Sequence, residues 1–215
     1  VGERERGRYA IGAGAPRGGR RAGDAAGDQL SGIENLIGSA NNDALTGDRL
    51  GNVIDGGPGN DVLHGGAGDD ILDGGAGDDQ LFGEAGNDIL IGGPGADTLT
   101  GGDGDDVYNI DANDTVVELP GGGFDTIFAT EFVFIPLNVE RAKTSGGGIV
   151  GSSGNDIIEG VAIAQSIDGG LGSDTVSYAY QTASVTVDLS TNTATESGTV
   201  EDSLSSIENA EGGQA

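Results

Sequence analysis

Residues 56–82 read GGPGNDVLH-GGAGDDILD-GGAGDDQLF, three nine-residue units in which glycine, aspartate and one large aliphatic side chain return to the same slots. Glycine and aspartate are poor formers of helix and strand, so any regular shape must come from the repetition itself. Cutting at the glycines in both directions gives eight units in tandem: GSANNDALT (38–46), GDRLGNVID, GGPGNDVLH, GGAGDDILD, GGAGDDQLF, GEAGNDILI, GGPGADTLT and GGDGDDVYN (101–109). Slot six is Asp in seven of them and Asn52 in the other. Slot eight is always large and apolar: Leu45, Ile54, Leu63, Leu72, Leu81, Leu90, Leu99 and Tyr108. A nine-residue period with these slots predicts an all-β chain coiled as a parallel β-helix or β-roll.

Glycines at slots one, two and four permit positive φ and close backbone approach, so GGxGxD is a turn. Slots seven to nine form a short strand whose central residue points to one side, because side chains alternate along a strand. Turn, strand, turn, strand makes a coil of 18 residues, and eight units make four coils. A second, degenerate block follows: GSSGNDIIE (151–159), GVAIAQSID (160–168) and GGLGSDTVS (169–177), the middle unit carrying Gln165 at slot six. Residues 110–150 read as short strands around Gly-rich turns, continuing or flanking the roll. DQLSGIEN at 28–35 matches DSLSSIEN at 202–209, so the chain stops where another repeat block would open. The expected organisation is therefore an arginine-rich, disordered leader (1–27), strandless over 1–21, a first block (28–110), a β-rich spacer (111–150), the degenerate block (151–178) and a spacer leading to a truncated further repeat (179–215). Residues 1–21 lack the strand that this register would place there and read as a foreign leader or a misread frame. With no methionine in the chain, a fragment or processed piece is expected.

The 215 residues include 44 Gly but only four Tyr, five Phe and no Trp, which is little bulk for a packed core. Thirty-six acidic against nine basic residues give a net charge of −27, and six of the nine cations are arginines at positions 4 to 21. Such a charge repels nucleic acid and anionic membrane surfaces and suits metal cations. No run of apolar residues reaches the length of a membrane span, no apolar segment near the start resembles a signal peptide, and there is no cysteine to form disulfides.

Slot-six aspartates in alternate units are 18 residues apart and stack on one edge of successive coils. Asp43, Asp61, Asp79 and Asp97 fall on one edge, and Asn52, Asp70, Asp88 and Asp106 on the other. Carboxylates about 4.8 Å apart repel one another, and a cation between them reverses the sign. Glycine turns leave carbonyl oxygens able to point inward, so each gap offers only oxygen. Flexible all-oxygen coordination selects Ca²⁺ over Zn²⁺ and Mg²⁺. Three gaps lie on the first edge and two on the second; the 52/70 gap should bind weakly, and Asp156 with Asp174 suggests one more. Five or six calcium ions are expected, and the thin aliphatic column makes folding dependent on them.

GGPGNDVLH and its neighbours resemble the RTX, or haemolysin-type calcium-binding, repeat family of secreted bacterial proteins, closely over 56–109 and partly at 38–55 and 151–177. The resemblance implies a right-handed parallel β-roll with Ca²⁺ held between turns by slot-six Asp and turn carbonyls. Asp61 and Asp79 with the carbonyls of turns 56–60 and 74–78 would make a typical site. The carbonyl donors implied in this way are those of Gly56, Gly57, Gly59, Gly65, Gly66, Gly68, Gly74, Gly75, Gly77, Gly83, Gly86, Gly92, Gly93 and Gly95. Arg49, Asn52 and Gln165 depart from the pattern and weaken the flanking sites. The resemblance also implies type I export and folding in a calcium-rich extracellular medium.

RTX blocks occur at the ends of secreted proteases, lipases and epimerases, so catalytic motifs bear on the reading. His64 is the single histidine; it excludes HExxH zinc chemistry, and at slot nine it reads as a solvent-facing strand residue. There is no GxSxG. Neighbouring acids such as Asp69–Asp70 suggest a glycosidase pair, but a catalytic dyad has no reason to recur every nine residues. The expectation is a non-catalytic calcium module of a larger secreted protein. The alternatives are the tail of a toxin or hydrolase whose catalytic domain lies upstream, or an adhesin that binds polysaccharide or a cell surface. For the last, FATEFVFIPL (128–137) is the candidate face, with a core or capping strand the favoured alternative.

Overall fold

The computed structural model describes residues 9–10, 34–160, 165–181, 185–196 and 199–212. Every regular element among them is a β-strand, and none is a helix long and apolar enough to cross a membrane. The chain divides into two compact units, Val1–Tyr108 with Asn113–Val117, and Asn109–Ala112 with Glu118–Ala215.

The strands of the first unit are β1 (Tyr9–Ala10), β2 (Asn35–Ile37), β3 (Ala44–Thr46), β4 (Val53–Asp55), β5 (Val62–Ala67), β6 (Ile71–Asp73), β7 (Gln80–Ala85), β8 (Ile89–Ile91), β9 (Thr98–Asp103), the first half of β10 (Val107–Ile110) and β11 (Thr115–Val116). They are short because each occupies slots seven to nine between glycine turns. Strands β2, β4, β6 and β8 pair in parallel with Leu36, Ile54, Leu72 and Leu90 in register. Strands β3, β5, β7, β9 and β11 pair likewise, with Leu45, Leu63, Leu81, Leu99 and Val116 in register. Two parallel ladders whose slot-eight side chains are buried make this unit the parallel β-solenoid that the nine-residue period predicts.

Glycine is required where turns stack on turns. Gly57 (φ +90°) and Gly59 (φ +145°) lie in backbone regions that other residues rarely enter. A Cβ there would also sit 2.6 Å from the Ser39 carbonyl oxygen and 2.7 Å from that of Asn41, in the preceding coil. The turns are tied as well as close: Ala76 N–H donates to Gly57 O and Gly59 N–H to Ala76 O.

In the second unit, β12 (Thr126–Ala129), β14 (Arg141–Thr144), β16 (Ile157–Glu159), β18 (Thr175–Ser177) and β22 (Asn209–Glu211) form one parallel ladder. The other runs through β13 (Val133–Phe134), β15 (Gly148–Val150), β17 (Ser166–Asp168) and β21 (Thr199–Ser205). Strands β19 (Val185–Asp188) and β20 (Thr193–Glu196) form an antiparallel hairpin that adds to β21. Ile127, Ala142, Ile158 and Val176 fill one inner face, and Val133, Ile149, Ile167 and Leu204 the other.

Two expectations change. Tyr9–Ala10 pairs in parallel with Leu36–Ile37, where the leader was read as strandless; the expected disorder of the rest of residues 1–27 lies outside the described residues. The stretch 128–137 is both core and surface: Ala129, Val133 and Ile135 are buried, whereas Phe128, Phe132, Phe134 and Leu137 are exposed.

Candidate metal centre

Slot six lies where each turn feeds its strand. Asp43, Asp61, Asp79 and Asp97 precede β3, β5, β7 and β9; Asn52, Asp70, Asp88 and Asp106 precede β4, β6, β8 and β10; Asp156 and Asp174 precede β16 and β18. All are buried. Within each column the Asp43 N–H donates to Asp61 Oδ1 (2.7 Å), Asp61 to Asp79 (2.7 Å), Asp79 to Asp97 (2.8 Å), Asp70 to Asp88 (2.8 Å) and Asp88 to Asp106 (2.8 Å). The same 18-residue bond joins Asn52 to Asp70 (2.6 Å) and Asp156 to Asp174 (2.9 Å). One carboxylate oxygen thus locks coil to coil.

The second oxygen has a different fate. Oδ2 of Asp61, Asp70, Asp79, Asp88, Asp97 and Asp174 is buried with no hydrogen-bond partner. A buried, unpaired anionic oxygen costs far more than the fold recovers elsewhere unless something positive meets it. These atoms converge on the slot-one glycines. A Cβ on Gly74 would lie 2.6 Å from Asp79 Oδ2 and 2.7 Å from the carbonyl oxygen of Gly92; on Gly56, 2.5 Å from Asp61 Oδ2 and 2.6 Å from Gly74 O. Gly65, Gly83 and Gly151 have the same surroundings, with Asp70, Asp88 and Asp156 facing the carbonyls of Gly83, Gly101 and Gly169. Each missing side chain therefore leaves an oxygen-lined cradle of the donor type that Ca²⁺ prefers.

Electrostatics agree. Burial, followed by the charges of their neighbours, raises the carboxyls of Asp61, Asp70, Asp79 and Asp174, pushes Asp88 and Asp156 up to about 6 and, with Asp114 and Asp79 beside it, Asp97 up to about 7. Among the described residues no protein cation relieves them: the ion pairs there join Arg141 and Lys143 to Glu159, and His64 to Glu84. No three His, Asp or Glu side chains converge on one point among the described residues, so a gap offers two carboxylates completed by backbone oxygen.

The starts of the blocks differ. Asp43 Oδ2 accepts the Ser39 N–H (2.6 Å) and hydroxyl (3.0 Å), Asp156 Oδ2 accepts the Ser152 N–H (2.7 Å), and Asn52 Oδ1 accepts the Asp48 N–H (2.7 Å). Here a slot-two amide supplies positive dipole before any ion arrives.

The columns also run beyond the nonapeptides. Asp97 N–H donates to Asp114 Oδ1 (3.0 Å), and a Cβ on Gly92 would lie 2.7 Å from Asp97 Oδ2 and 2.9 Å from Asp114 Oδ2. Asp174 N–H donates to Glu208 Oε2 (2.8 Å) and Asp125 N–H to Glu140 Oε2 (2.9 Å). The turn between β21 and β22 is three residues (206–208) where that between β17 and β18 is six, and Glu208, with one more methylene than Asp, still reaches the Asp174 N–H; Glu140 ends a turn of full length, 135–140. Slot five, which the nonapeptide pattern does not single out, forms its own ladder: Asn60 N–H donates to Asn42 Oδ1, Ala96 to Asp78, and Asp105 to Asn87.

His64 stacks on Phe82 (centroids 4.7 Å apart, planes 13° apart), and its Nδ1 lies 2.9 Å from Glu84 Oε1, on the outer face and away from the cradles. Glu84 holds this position at φ +78° in a slot that is glycine in the neighbouring units.

Family comparison finds the RTX calcium-binding nonapeptide repeat in four copies, at residues 46–81, 73–108, 82–116 and 149–162. No curated protein matches the chain. The repeats bind calcium and build a structural roll. With their 18-residue register and paired carboxylates, residues 46–116 and 149–162 are RTX calcium-binding nonapeptide repeats.

Proposed function

We propose that this chain is a calcium-folded module of a larger secreted protein, exported unfolded and closed by Ca²⁺ outside the cell. The observation that carries the reading is the set of buried Oδ2 atoms without partners, aimed at glycine cradles. Ca²⁺ would be held between Asp43 and Asp61, Asp61 and Asp79, Asp79 and Asp97, Asp70 and Asp88, Asp88 and Asp106, and Asp156 and Asp174, with slot-one carbonyls completing each shell. The oxygens converging beside Gly92 and Gly169 add the pairs Asp97–Asp114 and Asp174–Glu208, so eight ions replace the five or six expected from the nonapeptides. The metal supplies charge neutralisation and cross-linking of coils, not turnover.

Circular dichroism during calcium titration, with calorimetric counting of ions, tests this. The β signal should rise cooperatively with calcium and vanish in chelator; the same signal in both media overturns the reading. Export by a type I system and the identity of any catalytic partner domain rest on the family alone.

A second reading has support from one observation. Phe132 and Phe134 meet edge to face (5.1 Å), and both are exposed on the outside of the second unit. Exposed aromatic pairs mark interaction surfaces, and an adhesin role predicts that Phe132→Ser with Phe134→Ser lowers retention on a polysaccharide matrix without changing calcium stoichiometry.

A further inference from the structure

Gly160 and Tyr178 are slot-one residues 18 apart, and Gln165 and Asp202 are the matching slot-six pair. The pairing is shown by the Gln165 N–H, which donates to Asp202 Oδ1 at 2.8 Å, the bond that Asp61 makes to Asp79. The inserted hairpin stretches the step to 37 residues without disturbing it. At Gly38, Gly47, Gly56, Gly65, Gly74, Gly83 and Gly151 the following slot-one residue is a glycine whose carbonyl faces the cradle, and at Gly169 it is Ser206; here it is a tyrosine. Its ring lies over Gly160, where any Cβ would strike it, and its hydroxyl donates to Asp202 Oδ2 at 2.5 Å. Tyr178, Gln165 and Asp202 are all buried.

We infer that Tyr178 is a built-in plug: its phenol takes the position a calcium ion takes in the other coils, so the Gln165–Asp202 gap is closed without metal. This rests on the calcium reading of the other gaps and adds a rule for which gaps load. A short O–H···O⁻ bond is among the strong hydrogen bonds, and it neutralises no charge, so it suits a gap that holds one carboxylate and one amide rather than two carboxylates. Burial, with the bond to Asp202, raises the phenol above its ordinary value, so the donor proton stays in place. The first unit repeats the device at the end of one column. The hydroxyl of slot-eight Tyr108 accepts the Gly101 N–H (2.8 Å), and a Cβ on Gly101 would meet both this hydroxyl and Asp106 Oδ2. Tyr108 thus fills the cradle beyond Asp106 while the Asp88–Asp106 gap, beside Gly83, stays open.

The test counts calcium ions by native mass spectrometry on the full chain. Asp202→Asn should leave the count unchanged, whereas Asp79→Asn should lower it. Tyr178→Gly combined with Gln165→Asp, which empties the cradle and supplies the second carboxylate, should add one ion; Tyr178→Phe, which keeps the ring, should add none. Loss of an ion in Asp202→Asn, or no gain in the double variant while it binds the others, overturns the plug. If the unaltered chain binds no calcium at all, the calcium reading falls instead. A misfolded Asp202→Asn leaves the decision to the double variant, scored against the unaltered chain.

Discussion

At the scale of single residues, the slot-six carboxylates are not equivalent, because Asp79 faces two gaps and Asp43 only one. Asp79→Asn should therefore remove about two ions from the calorimetric stoichiometry and Asp43→Asn about one. Asp43 also keeps the Ser39 amide and hydroxyl as partners, so its replacement should cost less stability in calcium. Proton linkage gives a second expectation. An acid whose folded value is raised binds its proton better folded than unfolded. The metal-free roll is then most stable below the unfolded Asp value of about 3.9 and loses that stability as pH rises through about 6 for Asp88 and Asp156 and about 7 for Asp97. Calcium binding runs the opposite way, since it needs the deprotonated forms. In chelator, dichroism should show more β structure at pH 4.5 than at pH 7.5; in calcium, apparent affinity should fall between pH 7 and pH 5.5.

At the scale of the element, a coil rests on two slot-eight side chains and a few glycines, so substitutions there should act with calcium present as well as absent. Leu81→Ala empties a fully buried position and should cost about 2–5 kcal/mol in calcium-saturated denaturant melts. Gly59→Ala puts a methyl against the Asn41 carbonyl at a positive φ and should cost about 1–3 kcal/mol, without removing a carboxylate. The elements that the sequence shows plainly are those that keep the period: slots six and eight recur every nine residues, so the columns Asp43–Asp97 and Asn52–Asp106 and the aliphatic core are legible from the residue order alone. What lies off the period is not. Asp114 is 17 residues from Asp97, Glu208 is 34 from Asp174, and Asp202 is 37 from Gln165. A shortened turn or an inserted hairpin changes the count while leaving the strand register intact. The one signal these residues carry is local, an acid followed by strand slots: Asp114-Thr-Val, Asp125-Thr-Ile, Asp202-Ser-Leu. Tyr178 carries no such signal, because a tyrosine after a strand reads as surface until its hydroxyl is seen on Asp202.

At the scale of the whole molecule, a net charge of −27 opposes compaction through self-repulsion, and beyond residue 21 the chain offers only Arg49, Arg141 and Lys143 against it. Two of these are committed to Glu159. On the reading proposed above, bound divalent ions bring positive charge to the columns and each also joins two coils, so neutralisation and closure are one event. Small-angle scattering should then find the chelated chain near the unfolded expectation of about 50 Å in radius of gyration for its length, contracting on calcium addition. Magnesium at the same concentration should contract it much less, because it keeps its waters and demands octahedral geometry. Sodium chloride at equal ionic strength separates the two contributions: it screens repulsion but links no coils. If salt alone produced the full contraction together with the β signal, neutralisation would suffice and the paired carboxylates would not be metal sites; contraction with calcium only identifies the cross-link as the step that folds the roll.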